Sequence, residues 1–307
     1  MSNPLLEGLV VCSRGGNVDV EGSDGRIAKC SVRKKIAPVV CGDRVQWIAQ
    51  ADNQGRIEDV LPRRTELTRI DKRGQRQLFA ANVDQLIIVA ASTAMSFDEA
   101  DPEPAFCYPI DRYVVAAVFH GMTPLIVLNK IDKLDDRQRA HALQILEKYR
   151  RLDYSVLATS TKTGAGLDLV RQHVHGRTSI FVGESGVGKS SLINTLVPDE
   201  VRTGAVSEQT GLGRHTTTAT TLYHLGGGAD LIDSPGVREY DLGVLPIADL
   251  ADAFVEIRAL NGECRFNDCR HFNEPQCAVR AAVDAGSIDK VRYGSYVRLA
   301  HEMVTSG

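Results

Sequence analysis

The feature that most constrains the fold of this chain is the glycine-rich segment GESGVGKS at residues 183–190. It follows the apolar strand pattern TSIFV and opens a helical pattern, SSLINTLV. In this order the loop N–H groups and the helix N-terminus point toward one anion, as in the phosphate-binding loop of a parallel α/β sheet. The predicted phosphate contacts are Gly183, Glu184, Ser185, Gly186, Val187, Gly188, Lys189, Ser190 and Ser191.

The phosphate loop and a second segment, DSPG at residues 233–236, together predict a bound Mg²⁺ ion. Lys189 is expected to neutralise the β- and γ-phosphates during catalysis, and the Ser190 hydroxyl to ligate the metal. Asp233 ends an apolar strand pattern and is expected to hold the Mg²⁺ through water. The N–H of Gly236 is expected to contact the γ-phosphate.

The segment NKID at residues 129–132 predicts which base is bound. The Asp132 carboxylate can accept from both N1–H and N2–H₂ of guanine, and adenine cannot offer those two bonds. A site built on such paired bonds rejects the analogue that lacks them. Asn129 is expected to brace the loops and Lys130 to cover the base, with Ile131 between them. GTP and GDP, rather than ATP, are therefore the expected ligands.

A less specific segment, TSTKTG at residues 159–164, follows the next strand pattern. The backbone N–H of Thr161 is expected to meet guanine O6 there. Ser160 and Lys162 lie beside it and complete the predicted base-binding residues.

The order of these segments is the reverse of that in ordinary GTPases, because the guanine-reading segments precede the phosphate loop. A doubly wound sheet can be cut at one loop and rejoined at another without changing which strands are neighbours. The order therefore predicts a circularly permuted GTPase domain, with alternating strands and helices from about residue 83. Within it, residues 110–122 have helical spacing, and the acidic, proline-containing residues 96–106 are predicted to form a surface loop.

The residues that position the attacking water are less evident. Many GTPases have a glutamine directly after D-x-x-G, but this chain has Val237, which cannot hydrogen-bond through its side chain. The segment at residues 207–220, SEQTGLGRHTTTAT, is rich in glycine and threonine, as a switch region is. Thr217 is expected to complete the Mg²⁺ shell. His215 is expected to align or deprotonate water, although it could instead be a solvated loop residue.

Short strand patterns broken by turns fill residues 8–61 and predict a small antiparallel barrel. An OB-type barrel is the first choice and an SH3-like barrel the second. We predict three domains: the barrel over residues 1–80, the permuted domain over residues 81–245 and a helical, zinc-binding domain over residues 246–307.

Charge is unevenly distributed along the chain. Residues 1–80 contain 14 Lys and Arg against 10 Asp and Glu, whereas the remainder contains 22 against 29. The basic residues concentrate in RKK at 33–35 and in the arginine-rich residues 62–77. Such runs indicate either a solvated face or a nucleic-acid contact.

A cluster of soft ligands near the C-terminus predicts a zinc ion. Cys264, Cys269, His271 and Cys277 form the pattern C-x₄-C-x-H-x₅-C. Three thiolates and one imidazole satisfy a closed, tetrahedral Zn²⁺ site, so the metal is expected to be structural. The alternative is a chance group of buried thiols. For Cys12, Cys30 and Cys41, which lie in strand patterns, packing in a core is the favoured interpretation.

Taken together, the motifs resemble those of the bacterial ribosome small-subunit-dependent GTPase A family. The resemblance covers nearly the whole chain and rests on CGDRV, NKID, GESGVGKSS, GLGRHTTT, DSPGVRE and CRFNDCRHFNEPQCA. It implies an OB domain, a permuted GTPase domain and a zinc-binding helical domain. It also implies late maturation of the 30S subunit, 16S rRNA binding, and GTP hydrolysis that the subunit stimulates before the factor is released. The family resemblance points to His215 as the catalytic histidine.

Two other classes of function remain possible from the residues. One is a nucleic-acid-binding module with an inactive nucleotide site, and the presence of Lys189, Ser190 and Asp233 argues against it. The other is a P-loop kinase, and the guanine-specific NKID segment argues against it.

Cysteine usage and hydropathy predict where the protein works. The seven cysteines have no regular spacing, and no apolar run reaches the ~18 residues of a membrane span. The first residues lack the pattern of a signal peptide. We therefore expect a cytoplasmic protein with no membrane partner. We also expect it to be a monomer.

Overall fold

The computed structural model describes residues 4–14, 17–33, 36–70, 75–95, 103–198, 219–234 and 245–305. The strands in these ranges are β1 Leu5–Arg14, β2 Asn17–Gly22, β3 Ile27–Val32, β4 Arg44–Ala49, β5 Gln54–Val60, β6 Glu66–Ile70, β7 Arg76–Ala81, β8 Gln85–Ala91, β9 Thr123–Asn129, β10 Ser155–Ala158, β11 Thr178–Val182, β12 Thr220–Gly226 and β13 Ala229–Asp233. The helices are α1 Glu103–Phe119, α2 Asp136–Arg150, α3 Leu167–Val174, α4 Lys189–Leu196, α5 Ile247–Ala253, α6 Val255–Arg258, α7 Ala278–Asp284 and α8 Lys290–Thr305.

The chain forms two compact units. One comprises Met1–Gln85, Leu169–Phe181 and Ser190–Asp241, and the other comprises Leu86–Asp168, Val182–Lys189 and Leu242–Gly307. The three-domain division expected from the sequence stays a prediction. In the described part of the chain, none of the helices has both the length and the apolar character that a membrane crossing needs.

The first five strands close into a barrel. Their pairing order is β1-β2-β3-β5-β4, and β4 pairs back to β1. All pairs are antiparallel except β3 with β5, which is parallel. This closed arrangement is that of the OB-type barrel predicted from the sequence, rather than the SH3-like alternative. Alternate side chains point inward and form the core, namely Val10, Val18, Val20, Ala28, Cys30, Val45, Trp47 and Ile57.

Part of the arginine-rich segment has an internal role. Arg63 is only 12% exposed, and its Nε and Nη2 donate to the two oxygens of the fully buried Asp43, at 2.7 and 2.9 Å. Arg64 pairs with Asp84 at 2.7 Å. These two arginines therefore join the end of the barrel to the residues that follow it. Arg63 and Arg64 are therefore paired within the protein, so not all of the positive charge of this segment serves to contact nucleic acid.

In the first unit, the barrel continues into a further set of strands. β1 pairs antiparallel with β12, β12 pairs antiparallel with β13, and β13 pairs parallel with β11. The register places Cys12 opposite Thr221 and Ser13 opposite Thr220. The strand that enters DSPG is thus separated from the barrel by a single strand.

The second unit contains the strands that lead to the segments predicted to read guanine. β8, β9 and β10 are consecutive neighbours, and β9 and β10 run parallel. Every residue of β8 is buried, as expected for a strand covered on both faces. Helix α2 begins with a capping box, in which Asp135 accepts from the Gln138 N–H and the Gln138 side chain accepts from the Asp135 N–H. The second unit also contains α5 to α8.

Helix α1 begins earlier than the sequence pattern indicates. It starts at Glu103 and includes Pro109, whereas the sequence placed residues 96–106 in a loop. Pro109 lacks the N–H that would bond to Ala105, which is why a proline normally argues against an interior helical position. Packing explains the exception, since Phe106, Ile110, Val114 and other side chains of this helix are buried.

Candidate functional site

The phosphate loop connects β11 to α4 with a backbone that only glycine tolerates at two positions. At Gly183, with φ 137°, a Cβ atom would lie 2.3 Å from the carbonyl oxygen of Val89. At Gly188, with φ 103°, it would lie 2.3 Å from Nδ2 of Asn129. A larger residue at either position would displace the loop. The glycines are therefore required by close packing as well as by backbone conformation.

Lys189 lies over the loop from which it comes. Its Nζ donates to the carbonyl oxygens of Gly183 and Glu184, at 2.5 and 2.7 Å. An ammonium group held across the loop in this way is placed to meet an anion entering it. Ser190 and Ser191 follow at the start of α4, and both are exposed, so that their hydroxyl groups are accessible to a ligand.

Asn129 joins three segments of the site. It is 1% exposed, its Nδ2 donates to the Val187 carbonyl at 3.0 Å, and its Oδ1 accepts from Thr159 Oγ1 at 3.2 Å. The NKID segment is therefore bonded both to the phosphate loop and to the end of β10. Thr159 was missed by the sequence analysis. Its position at the end of a strand beside NKID was the available signal.

Lys130, in the NKID segment, contacts the phosphate loop. Its Nζ donates to the carbonyl of Gly186, and its backbone is left-handed, with φ 64°. Ile131 begins a short 3₁₀ turn, Ile131–Lys133, which carries Asp132. The two predicted binding segments thus meet in space, although more than fifty residues separate Lys130 from Gly186 in sequence.

The Asp132 carboxylate is held by Ser160. Ser160 Oγ donates to Asp132 Oδ1 at 2.6 Å and accepts from the N–H groups of Lys162 and Thr163, each at 3.2 Å. The Ser160 bond lowers the pKa of Asp132, so the carboxylate stays ionised and able to accept. The Ser160 hydroxyl is thus engaged with Asp132, whereas Thr161 and Lys162 remain partly or fully exposed.

In the first unit, Asp233 is the last residue of β13. The next residue, Ser234, is buried, and its Oγ lies 3.0 Å from Oγ1 of Thr220, the first residue of β12. This bond joins the chain entering DSPG to the chain leaving the predicted switch segment. The predicted contacts Gly236, His215 and Thr217 lie outside the described residues.

The Cys/His cluster has the dimensions of a zinc site. Nδ1 of His271 lies 3.5 Å from Sγ of both Cys264 and Cys277, and those two sulfurs are 3.9 Å apart. Sγ of Cys269 is the fourth ligand atom, and all four atoms lie within 4.8 Å of one another. A tetrahedral zinc with Zn–S of ~2.3 Å and Zn–N of ~2.1 Å separates two sulfurs by about 3.8 Å and sulfur from nitrogen by about 3.6 Å. The observed separations match these values, so the four residues fit the metal.

The surrounding residues hold the ligand loop in place. Glu274 accepts from the backbone N–H groups of Arg270, Phe272 and Asn273, at 2.9, 2.8 and 3.0 Å. From α8, Tyr293 OH donates to the His271 carbonyl at 2.7 Å. Burial lowers the pKa of His271, which favours the neutral imidazole that a metal requires.

The fold and these sites define a circularly permuted GTPase. The glycine-rich loop, the NKID segment and Asp233 each stand at the end of a strand, and the order of these segments along the chain is the permuted one. Comparison with known proteins gives the same class of protein. A family model described as RsgA GTPase matches residues 60–243 of the chain. The chain belongs to the RsgA GTPase family, and it is a GTP hydrolase.

Relatives and solved structures agree with this assignment. A protein of Azotobacter vinelandii, named small ribosomal subunit biogenesis GTPase RsgA, is 46% identical over 95% of this chain and 84% of its own. One of that name from Pseudomonas fluorescens is 43% identical over 99% and 88%. The crystal structure of YjeQ from Thermotoga maritima is 30% identical, with a TM-score of 0.76, over 98% of this chain and 99% of that one. The structure of YloQ, a circularly permuted GTPase, is 28% identical over 99% and 96%, also with a TM-score of 0.76.

Proposed function

We propose that this chain is a GTP-driven switch in late maturation of the 30S ribosomal subunit, which it binds through 16S rRNA. The subunit stimulates hydrolysis, and hydrolysis releases the protein, which works as a monomer in the cytoplasm. The observation that carries the proposal is the bonding of the guanine-reading turn to the phosphate loop, through Asn129 to Val187 and Lys130 to Gly186. The relatives named for biogenesis of the small subunit supply the biological process.

In the proposed site, Asp132 accepts from guanine N1–H and N2–H₂, and the Thr161 N–H donates to O6. Lys130 covers the base, and Ile131 and Lys162 lie beside it. The short bond from Ser160 favours this arrangement, because it fixes the carboxylate and keeps it charged. In this proposal, the fixed and ionised carboxylate of Asp132 is what makes the site bind GTP rather than ATP.

On the phosphate side, Lys189 and the loop N–H groups bind the β- and γ-phosphates. Ser190, Asp233 and Thr217 are the proposed holders of Mg²⁺, which neutralises charge that develops on the phosphates. The Gly236 N–H senses the γ-phosphate. His215 positions the attacking water, since Val237 cannot.

The zinc module is proposed to be structural. Its four ligands leave no open position for a reactive water, and their loop is bonded to α8 through Tyr293. We propose that it forms a domain over residues 246–307, after the barrel over 1–80 and the GTPase domain over 81–245.

The outer face of β3 and β5 is the proposed RNA contact of the barrel. Lys29 and Arg56 are exposed there, and Arg33 is 63% exposed while it pairs with Glu58 at 3.0 Å. Positive side chains on such a face can neutralise phosphates, and binding of this kind weakens as salt increases.

The decisive experiment measures GTP hydrolysis with and without purified 30S subunits, at two salt concentrations, with ATP in parallel. We expect slow intrinsic hydrolysis of GTP, strong stimulation by 30S subunits that falls at higher salt, and no turnover of ATP. Stimulation by 50S but not by 30S subunits would overturn the ribosomal assignment. Turnover of ATP at a similar rate would overturn the guanine-reading assignment.

A further inference from the structure

A serine outside the recognised segments contacts the guanine-reading turn. Ser92 is the first residue after β8, it has no exposed surface, and its Oγ donates to the Lys130 carbonyl at 2.8 Å. β8 is the neighbour of β9, which ends at Asn129. Ser92 therefore lies at the strand ends of an open α/β sheet, where such sheets bind ligands.

The residue that Ser92 contacts has an uncommon backbone conformation. Lys130 has φ 64° and ψ 33°, in the left-handed region that residues other than glycine rarely adopt. This conformation turns the chain out of β9 and into the 3₁₀ turn that carries Asp132. The direction of the Asp132 carboxylate therefore depends on how firmly the left-handed turn is held.

The carbonyl of Lys130 accepts two hydrogen bonds. One comes from the Lys133 N–H, at 3.0 Å, within the turn itself. The other comes from Ser92, and it ties the turn to the buried sheet. A carbonyl oxygen has two lone pairs, so the Ser92 hydroxyl completes its bonding.

Other contacts hold the same turn from the side of the nucleotide loops. The Ile131 N–H donates to the Thr159 carbonyl at 3.2 Å, and Ser160 holds Asp132. Ser92 adds a hydrogen bond to the turn from the end of β8. With both sets of contacts the turn is formed before a nucleotide arrives, and binding need not order it.

We propose that Ser92 is a positioning residue for guanine recognition, which fixes the left-handed turn at Lys130 and thereby aims the Asp132 carboxylate at the base. Ser92 acts through Lys130 and does not itself touch the nucleotide. The proposal rests on the guanine-reading role proposed for Asp132.

The test compares binding of GDP and of inosine diphosphate, which lacks the N2 amino group, to the full chain. In Ser92→Ala, a loosened turn should disturb a two-bond contact more than a single bond. We expect GDP to bind about fivefold more weakly and inosine diphosphate less than twofold more weakly, so that discrimination between them falls. An equal loss for both ligands, or no loss, would overturn the proposal, because a merely structural serine would not change their ratio.

Two further variants keep the test decisive. Thr93→Ala changes the neighbouring, exposed hydroxyl and should leave both affinities unchanged. Ser92→Cys retains a weak donor and should give a ratio between those of the parent and Ser92→Ala. If Ser92→Ala does not fold, a Ser92→Cys ratio equal to that of the parent overturns the proposal. A parent protein that fails to discriminate GDP from inosine diphosphate would instead overturn the role of Asp132.

Discussion

Nη1 of Arg292 lies 2.6 Å from Oδ1 of Asp111, and both side chains are completely buried. Arg292 also donates to both carboxylate oxygens of Glu256, at 2.8 and 3.1 Å. Tyr149 OH donates to the same Asp111 oxygen at 2.7 Å. Since these side chains come from α8, α1, α6 and α2, one charge cluster joins four helices of the second unit.

Loss of Arg292 should strongly destabilise this unit. Arg292→Met would leave two carboxylates buried without their cation, which costs about 3–5 kcal/mol. Urea unfolding should show the loss as a lower midpoint. Lys290→Met, on the exposed first turn of the same helix, should change stability by less than about 0.5 kcal/mol. A tolerated Arg292→Met would mean that the cluster contributes little to folding.

Native protein should contain one zinc ion per chain that resists mild chelation. Cys264→Ser removes one of four ligands and should abolish zinc binding and unfold the ligand loop, while the nucleotide-binding residues stay folded. Metal analysis measures the stoichiometry. Cys30→Ala, in the barrel core, should keep the zinc. Native protein free of zinc would refute the assignment.

The base specificity should follow the chemistry of residue 132. Asp132→Asn should shift preference from guanine to xanthine nucleotides, because xanthine presents an oxygen where guanine presents the N2 donor. Competition binding with GDP and xanthosine diphosphate measures the change. Asp136→Asn, exposed in the first turn of α2, serves as control. Unaltered guanine preference in Asp132→Asn would remove Asp132 from the site.

His224 should make stability depend on pH. Its Nδ1 lies 2.6 Å from Asp230 and its Nε2 lies 2.8 Å from Glu21, and these bonds raise its pKa from 6.5 to about 9. The raised pKa stabilises the folded state fully below about pH 6.5, and this stabilisation is lost as pH rises toward 9. The side chain is half exposed, so the effect should be on the order of 1 kcal/mol.

Thermal unfolding between pH 6 and 9.5 measures this dependence. His224→Gln should flatten the fall in stability over that range. A parent-like slope in His224→Gln would show that another group is responsible.

Hydrolysis should depend on His215 more than binding does. His215→Ala should retain GTP affinity but lose about 100-fold of the 30S-stimulated rate, the usual contribution of a group that positions or deprotonates water. Single-turnover kinetics with saturating subunits measure the rate. His173→Ala, at a partly exposed position in α3, is the matched control. A fully stimulated His215→Ala would mean that the ribosome supplies the group.

Several features of the molecule were predictable because their chemistry is local in sequence. The phosphate loop needs its glycines and lysine within eight residues, and the Cys/His cluster lies within residues 264–277. The permuted order could be inferred for the same reason, because each segment is recognised by its own short motif. Alternation of apolar residues likewise predicted the barrel, whose inward side chains are buried as expected.

The tertiary structure alone decided which polar side chains have partners inside the protein. Arg292 and Asp111 are 181 residues apart, and no periodicity or spacing connects them. Arg63 belongs to a basic run in the sequence, but in the fold it pairs with the buried Asp43. Ser92 lies in no motif, and only the fold brings it to the Lys130 carbonyl. Local chemistry fixes a motif, but a buried pair exists only where folding brings its two members to the same place.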